Sequence, residues 1–375
     1  MTTITIPPGS NLDPYLMANR INTRFVLGPG SYRLGTGWAF DKDHDHCCLG
    51  FDCELVGAGS RETFIYANPV RIPEGAKQIE SLTAGSRSEY CESTVIRGLT
   101  LFAETLFAGG IGTEIDTNIG VIGIHTWACR TTIEDVVVHG VQGTRPDREG
   151  FGVLVNAPGE YIAIDDEFET QPVGGSRIEN VEVTGRGYVC GVYIGYPRPA
   201  ETSIARNIRV SSCGEGPAHA AFGTNGGVLW SGLSNHGRWQ RAVFCDTAGG
   251  ESTVISGSHL RAENVLVEFR GSTGMKWKDI VVTDSLLEVT PAKDRTYAAA
   301  LVLARDGEKP GPEFDGVAIQ NCTIRGGEGD HYTGSIDSAG KNNGIFYCRL
   351  TGSAWKSPVL AGGFGGMREF GTVRL

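Results

Sequence analysis

The stretch Ile178-Glu-Asn-Val-Glu-Val183 is one copy of a six-residue phrase that recurs along the chain. The phrase reads apolar, polar, then Asn, Asp or Gly, then β-branched or Leu, any residue, and β-branched or Leu again. Its second half alternates with the period of a β-strand that has one apolar face. The other copies are Ile96–Leu101, Ile133–Val138, Ala205–Val210, Ala262–Val267, Trp277–Val282 and Phe314–Ile319.

A second short apolar segment follows most copies after a glycine-containing turn, so that strand, turn, strand and loop make one coil. Most spacings between phrases run from 27 to 57 residues, which is too irregular for a propeller blade but natural for a solenoid whose loops take insertions. Only 15 residues separate Asn264 from Asp279. We therefore expect these two phrases to lie on different sides of their coils. The second segments are Gly152–Val155, Gly191–Ile194, Gly227–Trp230 and Ala300–Leu303.

The third position of the phrase carries a short polar side chain in several copies. Such side chains form hydrogen bonds on the turn side of stacked coils. Their recurrence predicts a structural ladder and argues against catalysis by these residues, which are Asp135, Asn180, Asn207, Asn264 and Asp279.

These patterns predict an all-β fold, a single-stranded right-handed parallel β-helix, over residues 25–360. The 54 Gly and 16 Pro describe a chain that turns often. Residues 1–24 are predicted to form an N-terminal cap, in which Asp13-Pro14 begins a short amphipathic helix that runs to Ile21. Residues 361–375 are predicted to form a C-terminal tail or cap.

The segment Phe25-Val-Leu-Gly-Pro-Gly-Ser-Tyr-Arg-Leu34 resembles the opening coil of the pectate-lyase-like superfamily of right-handed β-helices. The superfamily includes polysaccharide lyases, glycoside hydrolases, uronate epimerases, phage tailspikes and non-catalytic adhesins. The resemblance therefore implies a glycan as the commonest ligand but leaves the reaction open. The motif series of polygalacturonases is absent, and Arg145-Pro-Asp-Arg148 is only superficially similar to the arginine element of pectate lyases.

The overall charge of −10, from 43 acidic and 33 basic residues, disfavours nucleic acid as a partner. No stretch approaches the ~18 apolar residues that a membrane span needs. The start of the chain has neither the basic nor the apolar region of a secretory signal, which predicts a cytoplasmic or phage-encoded protein unless a leader has been removed. The ten cysteines are scattered, and we interpret most of them as small buried core residues.

Two consecutive loops, at 139–152 and 156–176, gather charged side chains. A pair of carboxylates would suit glycoside hydrolysis, whereas an arginine beside calcium-bound carboxylates would suit β-elimination on a uronate. Solvated loop charge is the simpler alternative. From these loops Arg145 is predicted to bind substrate, and the predicted catalytic residues are Asp147, Arg148, Asp165 and Asp166.

The loop after Cys213 adds further candidates. His236 and Arg238 are predicted as catalytic residues. Aromatic rings offer faces on which sugars stack, although core packing is the alternative for each ring. The predicted stacking residues are Tyr193, Tyr196, Trp230 and Trp239.

The segment Asp41-Lys-Asp-His-Asp-His46 is the densest set of metal-type side chains. The carboxylates of Asp41, Asp43 and Asp45 predict a calcium site, although the segment lacks the turn glycine and final glutamate of an EF-hand. The neighbouring histidines and cysteines leave zinc as an alternative.

The leading hypothesis is a carbohydrate-active enzyme, a polysaccharide lyase or a glycoside hydrolase. Its glycan would bind along a groove formed by the loops near residues 140–240. One rival is a non-catalytic or tailspike-like glycan-binding β-helix that assembles as a homotrimer. A third hypothesis is an intracellular enzyme that acts on a small sugar-like substrate.

Overall fold

The structure is a computed structural model that describes residues 1–35, 38–39, 49–67, 77–86, 89–103, 119–157, 173–196, 200–245, 249–272, 274–290, 297–305, 311–352, 355–360 and 366–375. Of the described residues, 68% lie in strands and 3% in helices. The chain forms two compact units. Unit 1 is Met1–Gly195, Ala200–Ile204 and Ile208–Ala218, and unit 2 is Tyr196–Pro199, Ala205–Asn207 and His219–Leu375.

Fourteen strands lie in unit 1, apart from three residues of the last one that belong to unit 2. The strands are β1 (Thr2–Ile6), β2 (Thr23–Leu27), β3 (Gly30–Leu34), β4 (Trp38–Ala39), β5 (Glu54–Val56), β6 (Thr63–Ala67), β7 (Gln78–Gly85), β8 (Ser93–Phe102), β9 (Gly120–Trp127), β10 (Arg130–Gly143), β11 (Gly150–Asn156), β12 (Arg177–Gly187), β13 (Val189–Gly195) and β14 (Ser203–Ser212).

The remaining strands lie in unit 2, except that the first of them begins at the last residue of unit 1. They are β15 (Ala218–Thr224), β16 (Val228–Ser231), β17 (Ser234–His236), β18 (Trp239–Cys245), β19 (Gly250–Ser256), β20 (His259–Ala262), β21 (Val265–Gly271), β22 (Lys276–Thr283), β23 (Leu286–Val289), β24 (Tyr297–Arg305), β25 (Glu313–Gln320), β26 (Thr323–Gly326), β27 (Asp330–Ile336), β28 (Gly340–Lys341), β29 (Asn343–Phe346), β30 (Arg349–Gly352), β31 (Trp355–Lys356), β32 (Val359–Leu360), β33 (Met367–Phe370) and β34 (Val373–Arg374).

In unit 1 the strands stack in parallel columns, apart from antiparallel pairing of β4 with β7 and one antiparallel bridge between β9 and β10. One column runs β1, β2, β5, β8, β10, β12, and another runs β7, β9, β11, β13. Identical register places Leu55, Ile96, Ile133 and Ile178 opposite one another, and all four are fully buried. Each rung therefore covers the apolar residues of its neighbours, and the predicted parallel β-helix is confirmed.

Unit 2 repeats this construction. Its columns run β18, β21, β24, β27; then β19, β22, β25, β29, β33; and β20, β23, β26, β30, β34. Asn264 directly precedes β21, whereas Asp279 lies within β22 of a different column. The prediction that these two phrases lie on different sides of their coils is confirmed.

The corners of the rungs explain the short polar residue of the phrase. Asp135 and Asn180 have φ angles of 52° and 54°, a left-handed conformation that Asn, Asp and Gly tolerate best. The carboxylate of Asp135 also accepts hydrogen bonds from the backbone N–H and hydroxyl of Ser60, at 3.1 and 2.6 Å. Asn207 and Asp279 share the conformation, but Asn264 does not. The ladder is therefore structural at four of the five predicted positions.

Strand pairing reaches into both terminal segments, and the predicted domain boundaries stay a prediction. The helix α1 spans Asp13–Ala18, shorter than expected, and buries Leu16. β1 already pairs in parallel with β2 inside the predicted cap of residues 1–24. Likewise β33 and β34 pair with β29 and β30 inside the predicted tail of 361–375. The strand ladder extends further because both terminal segments retain the alternating pattern that pairs with a neighbouring rung.

The eight cysteines within the described ranges are free thiols, and all except Cys213 are buried. This agrees with their interpretation as core residues. Among the residues described, no helix has the length and apolar character to cross a membrane.

Candidate functional site

The column β7–β9–β11–β13 in unit 1 carries an unusual outer face. Leu82, Ile124, Val153 and Val192 lie opposite one another and point into the core, where they are fully buried. Successive side chains of a strand point to opposite faces. The next residue of each strand therefore points outward, and these residues form a second column: Thr83, His125, Leu154 and Tyr193.

His125 and Glu80 form a buried polar pair. Glu80 lies two residues before Leu82, but its contacts with His125 and Thr83 place its carboxylate on the outer face. The Nδ1 atom of His125 lies 2.8 Å from Oε1 of Glu80, and Oε2 of Glu80 accepts a hydrogen bond from the hydroxyl of Thr83 at 2.7 Å. His125 is 0% exposed and Glu80 is 6% exposed. Because the carboxylate accepts the Nδ1 proton, the lone pair of the neutral ring lies on Nε2.

Asn156, at the end of β11, completes the cluster. Its Nδ2 lies 3.1 Å from Nε2 of His125 and donates to it in this tautomer. The ring of Trp127 packs against the imidazole, with 4.4 Å between ring centroids. The imidazole is thus held on both nitrogens and against one face, which fixes its orientation.

Tyr193 is the half-exposed part of the same face. A Cβ atom added at Gly195 would lie 2.5 Å from the Tyr193 ring and 3.2 Å from Oδ1 of Asn156, so both side chains lie over this glycine. Phe151 contacts the Tyr193 ring edge-on, with 6.3 Å between centroids. The face therefore contains, in order, the partly exposed ring of Tyr193, the amide of Asn156 and the buried imidazole of His125.

A charged cluster lies where these strands begin. The 3₁₀ turn Pro146–Arg148 precedes β11, and Lys77 precedes β7. Asp147 pairs with Nε of Arg145 at 2.7 Å and with Nζ of Lys77 at 3.6 Å. Lys77 and Arg145 outnumber Asp147, so the three side chains carry a net positive charge, and Arg148 follows in the same turn. The structure thus places Arg145, Asp147 and Arg148 at one end of the face that holds Tyr193.

Three predicted stacking residues are buried, which corrects that expectation. Tyr196 is 0% exposed, and Trp230 and Trp239 are each 1% exposed. Trp230 packs against Phe222 with 6.0 Å between ring centroids. A ring enclosed in this way presents no face to a sugar, so core packing accounts for these residues.

His236 and Arg238 lie in unit 2, where β17 ends. His236 is exposed, and its carbonyl accepts a hydrogen bond from Nε1 of Trp239 at 2.7 Å. Arg238 binds the carboxylate of Glu263 through Nε at 2.5 Å and Nη2 at 3.2 Å. These contacts describe a turn held by hydrogen bonds and an ion pair, and they give His236 no partner that would orient it as a base.

The remaining predicted residues lie outside the described ranges. They are the catalytic candidates Asp165 and Asp166 and the calcium candidates Asp41, Asp43 and Asp45. Within the described ranges, no group of three or more His, Cys, Asp and Glu side chains could hold a metal ion.

Sequence reasoning missed Glu80, His125 and Asn156. The signal that could have found them is a titratable side chain within a strand that is mostly apolar, as His125 is in Gly120–Trp127. Glu80 lies 45 residues earlier in the chain, and neither segment contains the repeated phrase.

Comparisons with known proteins concern the fold. No family model matches the sequence, and no curated protein matches it. Among solved structures, the chain resembles the A-module of Azotobacter vinelandii mannuronan C-5 epimerase AlgE6, with a TM-score of 0.55 and 13% identity over 97% of this chain and 93% of that one. It also resembles the catalytic domain of a GH87 α-1,3-glucanase in complex with nigerose, with a TM-score of 0.56 and 13% identity over 99% and 68% of the two chains. At this identity the likeness is one of fold, the parallel β-helix.

Proposed function

We propose that this protein is a carbohydrate-active enzyme that abstracts the proton next to the carboxyl group of a uronate in a glycan, with His125 as the base. The observation that carries the proposal is the Glu80–His125–Asn156 cluster on the outer face of the β7–β13 column. Elimination and epimerisation of uronates both begin with this proton transfer.

The cluster has the parts that a general base needs. Glu80 fixes the tautomer by accepting the Nδ1 proton, and it lies where the positive charge of the protonated ring would develop. The Nε2 lone pair is reached when the amide of Asn156 turns away and the sugar takes its place. Tyr193, which lies over the same glycine as Asn156, would then contact the sugar ring.

The cations at the start of the column suit the carboxyl group of the substrate. Lys77 and Arg145 are 64% and 57% exposed on their side chains, and Arg148 directly follows Asp147 in the same turn. His125 lies five residues, about 16 Å, further along its strand than Gly120 at the start of the column, so these cations would bind the carboxyl group of a neighbouring sugar and position the glycan. The same charge attracts an acidic glycan to a chain whose overall charge is −10.

Hydrolysis fits the described face less well. It uses two carboxyl groups on either side of the glycosidic bond, whereas Glu80 is already bonded to His125 and Thr83. One structural neighbour is a mannuronan C-5 epimerase and another is a glucanase. The histidine-centred cluster supports the first kind of chemistry.

The test is turnover of a panel of polyuronates by the wild-type chain and by His125→Ala. Ultraviolet absorbance reports elimination, the sugar configuration measured by NMR reports epimerisation, and reducing ends report hydrolysis. We expect elimination or epimerisation, reduced by about 10²- to 10⁴-fold in His125→Ala. His139→Ala is the control, because His139 lies on β10, outside the β7–β13 column. Its ring stacks against Phe102 with 5.3 Å between ring centroids. Equal rates for His125→Ala and wild type would remove His125 from the reaction.

A second candidate is a non-catalytic glycan-binding β-helix of the tailspike kind. The full burial of His125, with bonds to both of its nitrogens, favours it because a satisfied network of this kind also serves stability. This candidate predicts glycan binding without turnover on any polyuronate, and a trimer in light scattering.

A further inference from the structure

Unit 2 contains an open groove, distinct from the His125 face, on the column β20–β23–β26. The groove has a volume of about 460 Å³, and its lining includes Gly237, Arg261, Glu288, Arg325 and Gly326. The parallel register places Arg261 opposite Glu288 and Glu288 opposite Arg325. Since neighbouring strands lie about 4.8 Å apart, the two arginines are about 10 Å apart along the column.

The acidic residue lies below the cations. Glu288 accepts hydrogen bonds from Nε of Arg261 at 2.6 Å, from Nε2 of His259 at 2.8 Å and from Nη1 of Arg325 at 3.4 Å. The side chain of Glu288 is 17% exposed, whereas those of Arg261 and Arg325 are 42% and 58% exposed. A ligand in the groove therefore meets the guanidinium groups before it meets the carboxylate.

The cations around Glu288 favour its charged form. Burial alone would raise the pKa of Glu288, but the hydrogen bonds and charges of His259 and Arg261 outweigh it and lower the pKa below 4.5. Beside this ladder, Arg238 pairs with Glu263, another lining residue. The charged lining residues, two arginines and two glutamates, sum to zero, and Arg238 adds one positive charge beside the groove.

The two exposed arginines keep donors for a ligand. Among the described residues, Arg261 uses only its Nε–H and Arg325 only one Nη1–H in hydrogen bonds. A guanidinium has five N–H donors in a planar fork that matches a carboxylate. Each arginine can therefore bind an oxygen anion while it keeps its contact with Glu288.

We infer that this groove is a binding subsite for an acidic glycan, in which Arg261 and Arg325 each bind a carboxylate of the sugar chain. Their spacing of about 10 Å along the column is similar to the span of a disaccharide, so alternate sugars of a polyuronate would meet the two arginines. The inference deepens the proposed function, because the acidic glycan is the substrate class named there, but the groove binds without reacting.

The test is calorimetric titration of the full chain at low salt with hexameric oligomannuronate, hexameric oligogalacturonate and a neutral glucan hexamer. His125→Ala is the background in every sample, so that no reaction occurs during the titration. The groove variant is Arg261→Gln with Arg325→Gln. The matched control is Arg368→Gln, an exposed arginine on β33 outside the groove. Circular dichroism checks that each variant is folded.

We expect at least one oligouronate to bind, the neutral hexamer to bind far more weakly, and the double variant to lose at least tenfold in affinity, since each charged contact alone contributes about this much. Arg368→Gln should bind like the background. No oligouronate binding, or equal affinity in the double variant and the control, would overturn the groove. If the wild type turns over the polyuronate and the double variant binds with unaltered affinity, the proposed function is kept and the subsite is rejected. If the wild type shows no turnover and the double variant loses binding, the subsite is kept and the proposed function is rejected.

Discussion

At the scale of the residue, burial of His125 depends on the groups that satisfy it. A polar side chain that is fully buried costs stability unless its hydrogen bonds are made. Glu80 forms a hydrogen bond with Nδ1 and Asn156 with Nε2. The contributions of the three side chains to stability are therefore expected to be coupled.

Removal of Glu80 should therefore cost more than removal of an exposed glutamate in the same unit. We expect Glu80→Ala to lower the free energy of unfolding by about 3 kcal/mol, because the buried Nδ1–H of His125 loses the carboxylate that accepts it. Glu92→Ala is the control, because the Glu92 side chain is 60% exposed and its ion pair with Nη1 of Arg130 is long, at 3.7 Å. The loss of unfolding free energy in Glu92→Ala should stay within about 0.5 kcal/mol. Urea unfolding measures both, and equal losses would show that the pair does not stabilise the fold.

Gly195 offers a second test of the face. In Gly195→Ala the new methyl group would lie 2.5 Å from the Tyr193 ring, so the ring must move from its place beside Asn156. We expect kcat/KM on the acidic glycan to fall by about tenfold to a hundredfold, as small displacements of positioning groups do. Gly216→Ala is the matched control, because nothing lies within 4 Å of a Cβ added there. Unchanged kinetics in Gly195→Ala would exclude Tyr193 from substrate binding.

At the scale of the element, residues with a left-handed backbone turn the chain from one strand of a rung to the next. Asn321 has a φ of 53° between β25 and β26, a conformation that costs other L-residues about 1–2 kcal/mol. We expect Asn321→Ala to destabilise unit 2 by about 1 kcal/mol and Asn321→Gly to be close to neutral. Urea unfolding of both variants separates the backbone effect from any loss of side-chain contacts, and equal destabilisation would refute it.

The arginine–glutamate ladder across β20, β23 and β26 should make stability depend on pH. The pKa of Glu288 in the folded chain lies below its ordinary value of 4.5. A depressed carboxyl pKa stabilises the fold fully above the unfolded value, and this contribution disappears as pH falls through the folded value. We therefore expect Glu288→Gln to be less stable than wild type at pH 7, with the difference shrinking as pH falls below 4.5. A constant difference from pH 7 to pH 3 would contradict this.

The sequence predicts the elements well because each rung carries its own local pattern. The phrases Ile133–Val138 and Ile178–Val183 each predict a strand with a short polar residue at its third position, without reference to any other segment. The site lacks such a local pattern. Glu80 meets His125 only because the lengths of the intervening loop and rung bring β7 beside β9, and Asn156 joins them from β11. Loop lengths of this kind are not constrained by the stacking of the rungs.

At the scale of the whole molecule, each unit of the acidic chain contains a cluster of cations that the proposals use. One is the Lys77–Arg145–Arg148 cluster of unit 1, and the other is the Arg261–Arg325 groove of unit 2. Salt screens charges that are exposed to solvent. We expect the affinity for an oligouronate to fall as sodium chloride rises from 20 to 300 mM, with a smaller slope in Arg261→Gln with Arg325→Gln. Titrations at several salt concentrations measure both slopes, and identical slopes would show that these arginines do not contact the glycan.

The most direct test of the account is proton exchange at the sugar itself. The wild-type chain is incubated with the polyuronate in D₂O, and proton NMR follows the signal of the proton next to the carboxyl group. If His125 abstracts this proton, its signal disappears in the wild type, because elimination removes the proton and epimerisation replaces it with deuterium. The signal persists in His125→Ala. Shortening of the glycan with the signal intact in the wild type would contradict the account.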